Sequence, residues 1–498
     1  MRERHRLCRY CLCLFLSLAC AALLGATDAR LVQCFPAAGA RDVPPDTPLR
    51  LMFEGEVALG SAGHIGITDT ATGAVVETID VAAGPAVQAI GGIEGFSYHP
   101  VRVSGSEVVI HLRHGALQRG RSYTVSIAPG AIVVGGAGFD GFSAEAPWRF
   151  STRSDGPAAG TSRLTVATDG TGDFCTVQGA LDFIPRGNTA PVTVVVRPGT
   201  YTEILCLYDR HGVTLRGEDR KATVIAYPNN ANFNGSGGNP FAPDAGHPSA
   251  ADPAAGQAVY RRAAVLVHQC RDFMVTNLTL HNTTPQGGSQ AEALIVNSPL
   301  DGRTIIRDVD FFSYQDTVQI NGQAYVANCH VEGDVDFLWG TGPVFFEDCT
   351  FRSLRTGAYY TQVRNPPENH GFVFVDCRFE GAPGVRDNFL TRVEPHRFPH
   401  SEVVLIDCVL TEAVGAVGWQ LQRARGAAGE PDPAHVHFWE FNSRTPEGHP
   451  VAMDRRMPGS RRLDAVADRA LIGQYRDPAY VLGGDWDPVK DAAERVRR

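Results

Sequence analysis

One short element recurs along the second half of this chain: an Asn or Asp, usually followed by Cys or an apolar residue, then a β-prone pair and a turn. It reads "NLTLHN" at Asn277, "DVDFFS" at Asp308, "NCHVEG" at Asn328, "DCTFRS" at Asp348, "DCRFEG" at Asp376 and "DCVLTE" at Asp407. Successive copies lie 31, 20, 20, 28 and 31 residues apart. A period of that size belongs to solenoids, in which each repeat buries its apolar face only against its neighbours. The strands are β-branched and aromatic, and helical periodicity is largely absent, which favours a parallel β-helix over a helical solenoid. Uneven intervals mean loops inserted at some turns, and such loops gather on one functional face.

The open end of a coil needs a cover. "CTVQGALDFIP", Cys175 to Pro185, has Val177, Ala180, Leu181 and Ile184 at helical spacing and is expected to cap the first coil. Residues 226–260, rich in Asn, Gly, Pro and Ala, read as a long loop between coils. The region before the repeats has another grammar. "TPLRLMFEGEV", "SEVVIHLRHG" and "RSYTVSIAPGAIVV" are alternating runs broken by Gly, Asp and Pro, the pattern of a β-sandwich. The expected fold class is therefore all-β: a β-sandwich over 30–153, resembling bacterial Ig-like domains, a small-residue linker over 154–162, and a parallel β-helix over 163–490.

Residues 1–29 read as an export signal: a basic start, the apolar run "CLCLFLSLACAALLG" and small residues near Ala26 and Ala29. Lipidation at Cys20 is the alternative reading. The apolar run is short for a membrane span, and no second one follows, so a secreted protein, extracellular or periplasmic, is expected. Four of the 12 cysteines lie in this leader, which leaves too few for a disulfide scaffold. The net charge of −9 argues against nucleic acid as a partner, since there is no basic domain to release counterions. No Cys/His spacing suggests a metal, the pair His435 and His437 reads as solvated, and no cofactor is expected. A monomer is expected.

Two acids stand out against this repeat. Asp316 in "YQDTV" follows Asp308 by eight residues, and Asp336 in "GDVDFLWG" follows Asn328 by eight. They thus hold equivalent positions on successive coils, about 4.8 Å apart at the spacing of neighbouring strands. Like charges so close drive their pKa values apart, leaving one acid protonated while the other is ionised. A turn-forming or hydrogen-bonding ladder would show the same spacing, so both readings stay open on period alone. Aromatics beside both acids favour a cleft. The same interval stacks Cys329 over Cys349, and a disulfide is expected there.

"YQDTV" followed by "GDVDFLWG" resembles the two signature motifs of the pectinesterases, also called pectin methylesterases. "LTVATDGTGDFCTVQGALDFIP", "RPGTYTE", "QAEAL" and "FLTR" resemble further family segments in the family's order, so the likeness runs from about residue 163 to 487. It implies a right-handed parallel β-helix, removal of methyl esters from pectin, no metal and no cofactor. It also implies Asp336 as nucleophile, Asp316 as acid then base, Gln290 and Gln315 as oxyanion donors, and Arg392 as the group holding Asp336 ionised and oriented. The chain departs from the family where "TRVEP" replaces "GRPW", which removes a sugar-stacking Trp after Arg392. Trp419 resembles a later family Trp, with Leu421 in place of its aromatic companion. Tyr314, Phe337, Trp339 and Trp419 are the expected sugar-binding aromatics. Competing functions are a polygalacturonase or lyase on the same scaffold, a non-catalytic polysaccharide-binding surface protein, and an esterase for another ester. No Gly-x-Ser-x-Gly elbow is present, so a serine hydrolase does not fit.

Overall fold

A computed structural model describes residues 30–235 and 261–497, apart from 143–144, 424–425, 427–428, 430 and 485. The expected export signal, residues 1–29, lies outside the described residues, as does most of the expected long loop.

Asn and Asp tolerate the left-handed backbone region better than any residue but Gly. The recurring element is that preference made visible. Asn277, Asp308, Asn328, Asp348, Asp376 and Asp407 all sit at φ between 51° and 58°, and Asn442 continues the column at 54°. Asn277 and Asp308 bend the strands Met274–Asn282 and Thr304–Phe312, and Asn328, Asp348, Asp376 and Asp407 mark corners between two strands of a coil. The corners stack, and Asn328 Nδ2 donates to Asp308 Oδ1 at 2.6 Å, as Asn442 Nδ2 does to Asp407 Oδ1.

Between corners the strands pair in parallel, coil on coil, into sheets of 17 and eight strands. One interior column runs Val326, Phe346, Phe374, Leu405 in register, with the rings of Phe346 and Phe374 stacked at 4.6 Å. Phe351 fills the space beside them, fully buried against Phe346, Phe374 and Phe379. Phe351→Ala removes most of that contact and should cost about 3–5 kcal/mol. Calorimetry should show the β-helix transition lowered by roughly 5 °C or more, with the sandwich transition unmoved.

The expected cap is present as the helix Val177–Phe183, with Val177, Ala180, Leu181 and Ile184 buried in the coil's core. Helices at the other end of the sequence carried too short a period to be read. Arg469–Tyr475 and Pro478–Leu482 lie on the outside of the 17-stranded sheet, burying Ile472, Tyr475, Val481 and Leu482 against Tyr325, Phe345, Val373 and Val404.

Cys329 and Cys349 are free thiols, contrary to the expected disulfide. They belong to a repeated set with Cys377 and Cys408. Each Sγ lies 3.3–3.5 Å from the carbonyl two residues before it and 3.4–3.8 Å from a carbonyl of the preceding coil. Stacked neighbours come within hydrogen-bonding reach of one another, as Cys329 and Cys349 do, but each thiol keeps the same carbonyl partners and none is bridged.

The N-terminal region forms a β-sandwich. Its four-stranded sheet, Leu31–Phe35, Leu49–Phe53, Glu107–Ile110 and Val101–Ser104, is antiparallel. A five-stranded sheet faces it, antiparallel except where Trp148–Thr152 meets Ala40–Val43. Leu49, Leu51, Ile65, Ile67, Val125 and Trp148 share one core between them. Two features fasten the sandwich to the β-helix. Asp46 accepts from the backbone N–H of Cys175 and Thr176 at the start of the capping helix, at 3.0 and 2.8 Å. The hairpin Ala86–Ile90 and Ile93–Tyr98 lays Ile90 and Phe96 on Ile204, Cys206, Leu266 and Ile295.

Candidate active site

The eight-stranded sheet has one face in the core and one facing out. Its outward column reads Cys206, Leu266, Ile295, Gln319, Trp339, Gln362 in register, and Arg392 pairs with Gln420 further along. The first three positions are apolar and covered by the hairpin. From Gln319 onward the column turns polar and aromatic. The candidate site occupies those rungs.

Asp316 and Asp336 come together there. Gln315 pairs in parallel with Val335, and the Asp316 N–H donates to the Val335 carbonyl at 3.0 Å, so the acids stand side by side on adjacent coils. Both are left-handed, at φ 65° and 48°. At Asp336 this turn breaks the alternation of the strand Val335–Gly340, whose register slips between Val335 and Leu338. Gly340 closes the same strand at φ 149°, where a Cβ would lie 1.9 Å from the Ile320 carbonyl oxygen.

Each carboxylate has its own arginine. Arg392 Nε reaches Asp336 Oδ1 and Oδ2 at 2.9 and 3.1 Å, and its Nη2 also donates to Oδ2. The Arg392 guanidinium lies over the Tyr359 ring, 4.6 Å from its centroid. Arg262 Nη2 donates to Asp316 Oδ2 at 3.1 Å while the same guanidinium holds Glu292 through Nε at 2.9 Å and Nη2 at 2.6 Å. A third arginine, Arg364, lies over the rings of Trp339 and Phe398, 5.1 and 5.2 Å from their centroids.

Burial is the largest influence on both acids and pushes both upward. Asp316 is driven well above the usual carboxylate range; the charges of Glu292 and Asp336 add to the rise, and Arg262 and Arg364 oppose it. Asp336 rises less far, because the Arg392 hydrogen bonds and charge pull it back, helped by Arg364 and opposed by Glu394. The acid that holds its proton more tightly is Asp316, and the one with a dedicated fork of donors is Asp336.

Gln290 and Gln315 flank the pair, both half-buried. The Ala291 N–H donates to the Gln315 carbonyl at 3.1 Å, which sets the two glutamines on neighbouring coils. Tyr314 is half-buried at the same edge. Trp339 lies on the outward face of the sheet but is only 4% exposed, covered by Arg262, 5.6 Å from its ring centroid, and by Arg364. Two expected sugar-binding aromatics do not belong here. Phe337 is 0% exposed and packs at a tilt against Tyr360 in the core, because the left-handed turn at Asp336 sends Phe337 and Leu338 both inward. Trp419 is 1% exposed, stacked on Phe438 with its indole N–H on Glu440. His435 is exposed, and His437, its side chain 45% exposed, also contacts Glu402 at 2.8 Å.

Arg262, Glu292, Arg364 and Phe398 were not found from sequence. Only Glu292 left a trace, as a charged residue inside an otherwise apolar strand run. Among the described residues no group of three or more His, Cys, Asp or Glu could hold a metal ion, and no helix is long and apolar enough to cross a membrane.

Comparison with known proteins agrees with this architecture. Pectinesterase 31 of Arabidopsis thaliana is 28% identical over 328 residues, covering 64% of this chain and 94% of the relative. Pectinesterase 1 of Olea europaea is 27% identical over 338 residues, covering 65% and 80%. Among solved structures, the pectin methylesterase from carrot superposes with a TM-score of 0.51 at 21% identity, covering 67% of this chain and 96% of that one. Pectin methylesterase PemA from Erwinia chrysanthemi gives 0.51 at 22%, covering 66% and 99%. The pectinesterase family model matches residues 163–241 and 247–450, which carry the stacked coils, both aspartates, both glutamines and all three site arginines. By that match over more than half its length, this chain belongs to the pectinesterase family.

Proposed function

We propose that the chain removes methyl esters from pectin, with Asp336 as nucleophile and Asp316 as proton donor and acceptor. The observation that carries this is the asymmetry of the two adjacent acids, one forked by Arg392 and the other pushed further toward its neutral form. A carboxylate is a weak nucleophile and needs fixing in place, which the Arg392 fork supplies. The ionised Asp336 oxygen attacks the ester carbonyl carbon, and the negative charge moves to the carbonyl oxygen, within reach of donors from Gln290 and Gln315. As the tetrahedral centre collapses, the C–OCH₃ bond breaks and methoxide takes the Asp316 proton, leaving as methanol. The mixed anhydride on Asp336 remains. Asp316, now ionised, takes a proton from water, whose oxygen attacks the galacturonoyl carbonyl. The anhydride bond breaks, Asp336 leaves as carboxylate, and the product acid gives up its proton to solvent. Water and ester become methanol and pectate.

Sugar rings would meet Tyr314 and the Phe398 edge rather than Phe337, Trp419 or Trp339, which is itself buried at 4% exposure. A pectin methylesterase of the same fold has been solved in complex with a hexasaccharide, which supports a sugar chain as the ligand. Residues 1–29 support export, and the paired antiparallel sheets support the Ig-like assignment of 30–153. Action as a monomer is part of the same proposal.

Highly methylated pectin tests the reaction. The expected products are methanol and acid, with no new reducing ends and no unsaturated ends; chain cleavage without methanol would replace the esterase with a lyase or glycosidase. The rate should be bell-shaped in pH. Activity falls with acid as Asp336 takes a proton, and falls with alkali as Asp316 loses its own. Since burial raises both groups, the rate should still be climbing above the ordinary carboxylate range, near pH 4.

A further inference from the structure

Arg262 and Glu292 are buried to a degree rare for charged residues, with side chains 4% and 0% exposed. They come from different coils, Arg262 just before the strand Val265–His268 and Glu292 just before Leu294–Asn297. A buried ion pair is no general gain in stability over apolar residues of similar size, so stability alone gives no reason for a charge pair there. What distinguishes the pair is its third contact. The Arg262 Nη2 that holds Glu292 Oε1 also donates to Asp316 Oδ2.

We propose that Arg262 and Glu292 form a charge-balanced positioning clamp for the catalytic acid, and that Glu292 keeps Arg262 from ionising it. The proposal rests on the assignment of Asp316 as acid and base. An arginine alone beside Asp316 would favour the carboxylate and take away the proton the leaving methoxide needs. Glu292, bound to the same guanidinium, cancels that charge and leaves the N–H bond. The N–H bond to Oδ2 makes that oxygen the carbonyl-like one and places the proton on Oδ1, so the clamp selects which oxygen serves the leaving group. The groups facing Asp316 are Arg262, Glu292, Asp336 on the next coil and Arg364 beyond it. Arg364 is already shared with Asp336. Glu292 is therefore the compensating charge that belongs to Arg262.

Glu292→Gln is nearly isosteric and uncovers the Arg262 charge. The alkaline limb of the kcat profile should move toward acid by about one pH unit, with KM changed less than about twofold. Arg262→Met/Glu292→Met removes both charges. Its alkaline limb should lie close to the parent's, while kcat falls roughly tenfold or more because the carboxyl is no longer oriented. A folded Glu292→Gln enzyme with the parent pH profile would overturn the proposal. If that variant does not fold, a double variant with the parent kcat would do so equally. Asp316→Asn separates the two levels: full activity in that variant removes the acid assignment itself, whereas its loss beside an unmoved Glu292→Gln profile removes only the clamp.

Discussion

Asp336→Asn should keep its fold and release methanol from highly methylated pectin at least about 10⁴-fold more slowly than the parent. Asn is close to Asp in size, tolerates the left-handed backbone at φ 48° and still offers an oxygen to the Arg392 fork. What it lacks is the anionic oxygen that attacks the ester. The remaining rate would come from binding and from the oxyanion donors alone. The circular dichroism spectrum should overlay that of the parent, so that the loss belongs to chemistry. An Asp336→Asn protein that turns over at the parent rate would remove the nucleophile assignment.

Asp316→Asn should lose about 10²–10⁴ in kcat on the methyl ester, the range a positioned acid–base group supplies. It fails differently from Asp336→Asn. Without Asp316 the methoxide must leave unprotonated, so the acylation step slows. An ester with a good leaving group, such as a nitrophenyl galacturonate, does not need that proton. Acylation of Asp336 should then proceed, and hydrolysis of the anhydride should stall because no base takes the proton from water. The expected trace is a burst of about one nitrophenol per enzyme followed by slow turnover.

The repeat was legible because it is set by local backbone chemistry. A corner at φ near 55° selects Asn or Asp wherever it recurs, so the period shows in the residues themselves. The acid pair was legible for the same reason: both aspartates keep one offset from their corners, and the 20-residue coil between them carries no insertion. Arg392 was reached through family likeness. Arg262 and Arg364 were not reached, because loops of unequal length separate them from Asp316 and no period links them. The aromatics failed on alternation. Reading Val335–Gly340 as a regular strand puts Phe337 and Trp339 on one face, whereas the turn at Asp336 sends Phe337 into the core and leaves Trp339 on the outward face, buried beneath Arg262 and Arg364. The disulfide expectation failed because equal spacing repeats one environment: each Sγ sits on the carbonyl two residues before it, and the stacked thiols stay free. The seat of the N-terminal hairpin was beyond reach because a contact such as Phe96 with Ile295 has no sequence signal.

The intact and peptide masses of Asp316→Asn enzyme quenched in acid during the burst test the stacked-acid mechanism most directly. The expected result is one galacturonoyl adduct on the peptide that contains Asp336, absent from the Asp316→Asn/Asp336→Asn double variant. An adduct on any other residue, or a full burst from the double variant, would contradict it.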